Sequence, residues 1–296
     1  MSTKRSVLIT GCSDGGTGSA LAIEFCKAGL QVYATARNVG KMENLSPYDV
    51  ELLELDIESD ASIAKCVERV EAIDILVNNA GAQYTMPISD ISILDAKKVF
   101  DANVWGHIAL VQAFIPLLLK SPKPIIANHT SVGSGVGIPF QSVYNASKAA
   151  FSMFSDIMRA ELQPFNITVV NLKTAGVKTN VITNLQTKHP KIPEGSIYAP
   201  AGEIVNRILR LEWAQGIGIS PEDWAKGVAG ELLKASPPAY IWKGESVLMA
   251  RLSSLLPSTQ LDGLFKRMTG LDKVETVIRE KRGLLAGSDS TMSEQR

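Results

Sequence analysis

Short apolar runs rich in β-branched residues alternate with helical stretches along the first 170 or so residues, and this alternation constrains the fold most. Ser6-Val7-Leu8-Ile9-Thr10 is the first such run. Further candidate strands lie at 31–36, 50–54, 73–77, 124–130 and 166–171, with a last short one at 239–242. A strand that reads as a continuous apolar run is buried on both faces, as in parallel sheets covered by helices. The sequence therefore predicts an α/β fold, a doubly wound parallel sheet with helices on both faces, in a single domain over residues 1–245. A long helix is expected at 92–119, with Pro116 bending its end.

The loop after the first strand reads Gly11-Cys12-Ser13-Asp14-Gly15-Gly16-Thr17-Gly18. Leu21, Phe25 and Ala28 then fall on one face of a helix. Strand, glycine turn and helix together form the context of a dinucleotide site. Glycines allow a tight turn and close backbone approach to a pyrophosphate at the helix N-terminus. Gly11, Ser13, Gly16, Thr17 and Gly18 are the candidate contacts. The second strand ends in Ala34-Thr35-Ala36, and Arg37 follows. An NAD site normally ends this strand in Asp or Glu, which holds the ribose 2′-hydroxyl. Ala36 in that place, with the Arg37 guanidinium beside it, favours a 2′-phosphate and hence NADPH.

Tyr144-Asn145-Ala146-Ser147-Lys148 carries the chemistry. Positions i and i+4 share a helix face, so the Lys148 ammonium and the Tyr144 phenol can meet the same ligand. A phenol with a pKa of about 10 is almost wholly protonated near neutrality, and bringing it to about 7 takes roughly 4 kcal/mol. A charge at about 4 Å supplies about 1 kcal/mol in water and about 4 kcal/mol at an effective dielectric near 20. The pair therefore works only in a partly desolvated cleft. There Tyr144 can give a proton to a carbonyl oxygen that Ser131, thirteen residues upstream, hydrogen-bonds. That is a general acid with an oxyanion stabiliser.

Together these residues resemble the short-chain dehydrogenase/reductase family over about residues 5–245. The resemblance implies a Rossmann-type fold and hydride transfer between a nicotinamide cofactor and a carbonyl. Thr10-Gly11 with Gly16 and Gly18 looks like the family's cofactor turn, and Leu55-Asp56-Ile57 like its adenine contact. Asn78-Asn79-Ala80-Gly81 matches its Asn-Asn-Ala-Gly stretch, which brings in Asn79. Ser131, Tyr144 and Lys148 fall on its catalytic serine, tyrosine and lysine. The resemblance implies that Lys148 lowers the tyrosine pKa and bonds the nicotinamide ribose. Asn103 falls on its active-site asparagine, which anchors a relay water, and Val177 and Thr179 on the positions that hold the carboxamide.

Two departures stand out. The second and third glycines of the turn come one residue late, and Thr174-Ala175 replaces the usual Pro-Gly before the carboxamide loop. These features, with Tyr240-Ile241-Trp242-Lys243-Gly244, look most like a fungal branch. That branch is related to NADPH-dependent 1-acyldihydroxyacetone phosphate reductase and includes ketoreductases of secondary metabolism. A bulky hydrophobic ketone is the implied substrate class, and a homodimer or homotetramer the implied assembly.

A formal net charge of zero argues against nucleic acid as a partner. The three cysteines show no paired spacing, as expected for a reducing, cytoplasmic setting, and Cys12 reads as a packing residue. His107, His129 and His189 lack metal-motif spacing, so no metal is expected. Residues 180–219, with Pro190, Pro193 and Pro200, read as an irregular substrate loop containing a helical stretch at 203–209. Residues 246–286 read as a helical C-terminal extension, and 287–296 as a small, polar, disordered tail. Three roles stay open for the extension: packing on the core or a second subunit, a lid, or shallow contact with a membrane such as endoplasmic reticulum or lipid droplets.

Overall fold

The computed structural model describes the backbone of residues 4–293 and the side chains through Gly283 apart from Ser258. Seven strands are present: β1 (Ser6–Thr10), β2 (Gln31–Ala36), β3 (Val50–Glu54), β4 (Ile75–Asn78), β5 (Ile125–His129), β6 (Thr168–Thr174) and β7 (Tyr240–Lys243). They form one sheet in the order β3-β2-β1-β4-β5-β6-β7, with every neighbouring pair parallel. Each expected strand is there, with small shifts at its ends. The helices in chain order are α1 (Thr17–Lys27), α2 (Asp60–Glu68), α3 (Ile93–Phe100), α4 (Gly106–Leu118), α5 (Ser142–Glu161), α6 (Asn180–Thr187), α7 (Gly202–Leu209), α8 (Pro221–Leu232), α9 (Val247–Ser253), α10 (Asp262–Thr269) and α11 (Leu271–Ser293).

Side chains alternate across a strand, so β1 sends Val7 and Ile9 to one face and Leu8 to the other. On the first face they join Leu21 and Phe25 of α1 and Trp224, Val228 and Leu232 of α8. On the second, Leu8, Leu76 and Ile126 pack with Leu110 and Phe114 of α4 and Met158 of α5. Burying such side chains contributes about 1.5–3 kcal/mol each, which holds the helices to the sheet.

Three expectations are corrected. The long helix at 92–119 is α3 and α4 joined by a π-helical turn at Asp101–Trp105, and it ends two residues after Pro116. The turn forms because buried Asn103 bonds away from the helix. Its Oδ1 accepts the Ala82 amide at 2.7 Å, and its Nδ2 donates to the Ala82 carbonyl at 2.9 Å. Extra residues of this kind inside helices recur at functional sites.

Residues 180–219 hold the expected helical stretch as α7 and also a helix that was not expected, α6. Thr179 caps α6, its hydroxyl accepting the Val181 amide at 3.4 Å. Val205, Ile208 and Leu209 of α7 are buried with Val274 of α11, and Leu271, Val277 and Ile278 pack against them. The first turns of α11 thus pack on the domain, while Leu248, Met249 and Leu252 of α9 are exposed. Finally, α11 continues through residues 287–293, where a disordered tail was expected. Once packed residues nucleate a helix, each further residue adds a hydrogen bond. Residues 294–296 lie outside the described residues. Among the described residues, no helix is long and apolar enough to cross a membrane.

Candidate active site

β1 has β2 on one side and β4 on the other, so the strand order reverses at β1. Ligands of open α/β sheets bind outside the C-terminal strand ends at such a point. The glycine turn lies there. Gly11 has φ +72°, a left-handed conformation that favours glycine. At Gly18 a Cβ would stand 2.5 Å from the Gly11 carbonyl oxygen, so only glycine lets the helix start this close to the strand. Gly16 precedes α1, whose first turn carries no acidic residue. Its free N–H groups suit an anion.

The lengthened part of the turn is tied down on two sides. The Asp14 amide donates to the Lys41 carbonyl at 2.8 Å, and Asp14 Oδ1 accepts the Asn44 amide at 3.1 Å. From α6, Asn180 Nδ2 donates to the Asp14 carbonyl at 3.0 Å, and the Asn180 amide to the Gly15 carbonyl at 3.4 Å. The extra residue is therefore bracketed between the segment after β2 and the substrate-loop helix. Cys12 is fully buried, and burial pushes its thiol up to about 12, as befits a packing residue.

Asn79 organises the turn from β4. Its Nδ2 donates to the Thr10 carbonyl at 2.7 Å and the Gly11 carbonyl at 3.2 Å. Its Oδ1 accepts the Thr17 hydroxyl at 2.8 Å and stands 2.8 Å from His129 Nδ1. The Asn79 and Thr17 side chains, expected to touch the cofactor, thus build the turn itself. Arg37 is well exposed beyond the end of β2, 3.9 Å from Glu58. An exposed pair of that length contributes little, so the guanidinium is available to a ligand. Asp56 Oδ1 accepts the Glu58 amide at 3.1 Å, and Ile57 beside it is buried.

The missing Pro-Gly is compensated by neighbouring backbone. Gly176 forms an antiparallel bridge with Glu245, and Val177 a parallel bridge with Ile219. The Ala175 amide donates to Lys243 and the Lys178 amide to Ile219, both at 2.9 Å. Val177 and Thr179 are thereby held at the mouth. Thr179 lines a cleft of about 280 Å3 with Lys178, Asn180, Gln186, Gln215 and Ile217.

Ser131, Tyr144 and Lys148 lie at the end of β5 and on the adjoining α5. Ser131 follows β5, and its hydroxyl oxygen accepts the Gly133 amide at 3.1 Å. Tyr144 and Lys148 lie on α5. The Lys148 ammonium, 5% exposed, donates to the His129 carbonyl at 3.0 Å. Burial lowers Lys148 to about 8, which leaves it mostly charged at neutral pH. Burial raises the Tyr144 phenol above its ordinary value, and the opposing influence is the Ser131 hydroxyl rather than Lys148. The phenol is therefore held in its neutral, proton-bearing form. Asn103 joins the cluster through Ser147, which accepts from Asn103 Nδ2 at 2.9 Å and donates to the Tyr144 carbonyl at 2.7 Å.

A tyrosine phenol, a buried lysine and a serine hydroxyl thus share one end of the sheet with a glycine-cradled helix N-terminus. The description short chain dehydrogenase matches residues 5–190. The chain belongs to the short-chain dehydrogenase family. A short-chain dehydrogenase/reductase of Pestalotiopsis microspora is 46% identical over 280 residues, covering 94% of this chain and 99% of that protein. NADPH-dependent 1-acyldihydroxyacetone phosphate reductase of Schizosaccharomyces pombe is 36% identical over 272 residues, covering 87% of this chain and 91% of that protein. The crystal structure of a short-chain dehydrogenase from Streptomyces avermitilis shares the fold at a TM-score of 0.72 and 24% identity, covering 93% of this chain and 98% of that one.

Two residues of this short-chain dehydrogenase were read in the sequence only as histidines without metal spacing. His107 is fully buried, stacked on Phe151, with Nε2 2.8 Å from the Ala80 carbonyl. That oxygen can only accept, so Nε2 carries the proton. His107 Nδ1 has no partner among the described residues. His129, stacked on Trp224, donates from Nδ1 to Asn79. Burial, and then the Lys148 charge, brings both imidazoles down to about 3. They are neutral at physiological pH, and Lys148 is the cation beside them. His107 lies four residues after Asn103, a spacing that was available in the sequence. His129 gave no comparable signal.

Proposed function

We propose that this dehydrogenase reduces a ketone on a bulky hydrophobic substrate to a secondary alcohol. The observation that carries this reading is the placement of the Tyr144 phenol beside the Ser131 hydroxyl, with Lys148 one helical turn away on α5. A reductase needs an acid that still holds its proton, and Tyr144 is held in that form. Ser131 hydrogen-bonds the developing oxyanion, and Tyr144 delivers the proton to it. Lys148 keeps a positive charge close to the cluster, and Asn103 fixes the backbone at Tyr144 through Ser147.

The cofactor is NADP(H), which supplies the hydride when bound. The residues present fit it. The glycine turn and the start of α1 suit the pyrophosphate, and Arg37 suits the 2′-phosphate where β2 ends without a carboxylate. Arg37→Ala is expected to raise the KM for NADPH by about 10- to 100-fold, the worth of one charge-assisted hydrogen bond. The KM for NADH should stay nearly unchanged. Equal effects on both would remove Arg37 from phosphate recognition.

Met86, Phe140, Tyr198 and Trp213 form a partly buried apolar surface against α7, which supports a large apolar substrate. Lys178 at the cleft supports a phosphate-bearing member of that class, as in the Schizosaccharomyces pombe relative. The deciding experiment is NADPH consumption by the purified protein with an acyl-dihydroxyacetone phosphate beside a panel of polycyclic ketones. Turnover of either establishes the reductase and separates the two substrate classes. Tight NADPH binding with no consumption on any ketone would replace it with a nucleotide-sensing role.

A further inference from the structure

Lys173 sits near the end of β6 at 9% exposure, an ammonium inside the domain. A buried cation persists only when hydrogen bonds compensate its lost water. None of the ion pairs among the described residues involves Lys173. Its partners are two hydroxyls, Ser134 Oγ at 2.7 Å and Ser152 Oγ at 2.5 Å.

An ammonium only donates, so both hydroxyls accept from it. The single proton of Ser134 is then directed to the Ser131 carbonyl, 2.6 Å away. The same carbonyl also receives the Ser134 amide at 3.0 Å. This closes the short turn that follows Ser131. Within it the Gly133 amide donates to Ser131 Oγ, leaving the Ser131 proton to be given outward. Ser152 receives a second donor, Asn171 Nδ2 at 3.1 Å, and lies on α5 two turns beyond Tyr144. Lys173 thus joins three elements. They are the turn that carries Ser131, the helix that carries Tyr144 and Lys148, and the strand that leads to Val177.

We propose that Lys173 is a positioning residue, which fixes the direction of the hydrogen bonds in the Ser131 turn and so aims the Ser131 hydroxyl at the substrate oxygen. This rests on the ketone-reductase reading for its kinetic consequence. Misplacing a reacting group by about 1 Å lowers rates by about 100-fold. Lys173→Met keeps the bulk and removes the donors. It is expected to lower kcat by about ten- to a hundredfold, with the NADPH Kd unchanged within about twofold. Lys173→Gln, which keeps two donors, should recover part of the loss. Ser134→Ala should reproduce the loss, and the double variant should be no worse than either single one, since both act through one chain of bonds.

A second readout does not need turnover. Amide exchange in segment 131–135 should accelerate in Lys173→Met and Ser134→Ala alike, with β1 unchanged. If the wild-type protein consumes no NADPH on any ketone, the proposed function fails and the exchange measurement still decides the role of Lys173. Wild-type kcat in folded Lys173→Met, additive losses in the double variant, or unchanged exchange in 131–135 would each overturn the proposal. If Lys173→Met does not fold, Ser134→Ala carries the same tests of kcat and exchange.

Discussion

Replacing Tyr144 with phenylalanine is expected to lower kcat by about 100- to 10,000-fold, the usual worth of a positioned general acid. The substitution keeps the ring and removes only the oxygen and its proton. The phenol lies within the domain, raised by burial, so the ring continues to fill its place. Lys148 keeps its bond to the His129 carbonyl, and Asn103 keeps its chain through Ser147 to a backbone oxygen at 144 that the mutation does not touch. NADPH affinity should therefore change by less than about threefold, because the glycine turn and Arg37 are untouched. Residual activity above background should survive through Ser131 and the bound geometry. Single-turnover rates with a fluorescence titration of NADPH separate the two quantities. A folded variant that loses binding and rate together would show that Tyr144 holds the cofactor rather than delivering the proton.

Mild acid is expected to destabilise the fold through the two neutral histidines. His107 goes from an ordinary value of 6.5 to about 3 on burial, and His129 shifts the same way. Their folded values lie below their unfolded ones, so below about pH 6.5 the unfolded chain binds more protons. The stability they contribute is fully present above that pH and is lost as pH falls toward about 3. By pH 5 the loss from His107 alone amounts to about 2 kcal/mol, from 1.5 pH units at about 1.36 kcal/mol each. His129, only partly buried, adds to the same slope. Urea midpoints at pH 7 and pH 5 measure the sum. His107→Gln, neutral throughout, should flatten the pH dependence by about half even if it lowers the midpoint at pH 7. An unchanged slope in that variant would mean that other groups dominate acid unfolding.

The strands were legible because a buried parallel strand must be apolar at nearly every position, as Val7, Leu8 and Ile9 are. Ser131, Tyr144 and Lys148 were legible because their spacing is set within one turn and one helix. The helix at 180–187 was not, because its order comes from partners far along the chain, as Asn180 answers to Asp14. Lys173 and His129 gave no signal for a similar reason. Whether a polar side chain is buried, and what compensates it, depends on elements that no local pattern names. Lys148 and Tyr144 share a helix face as their spacing requires, and the ammonium donates to the His129 carbonyl. Sharing a helix face places two groups near one another but does not settle which oxygen the ammonium takes.

Asn180 connects the glycine turn to α6, the helix beside the cleft lined by Thr179. α6 cannot swing outward without baring the Asp14 and Gly15 carbonyls that its first residue now covers. The two halves of the crevice are therefore not independent compartments. A ligand that stiffens the glycine turn also makes α6 harder to lift, and by thermodynamic reciprocity a ligand that holds α6 down tightens the turn by the same factor. The longer loop that departs from the family pattern is thus also the seam where the two ends of the crevice are joined.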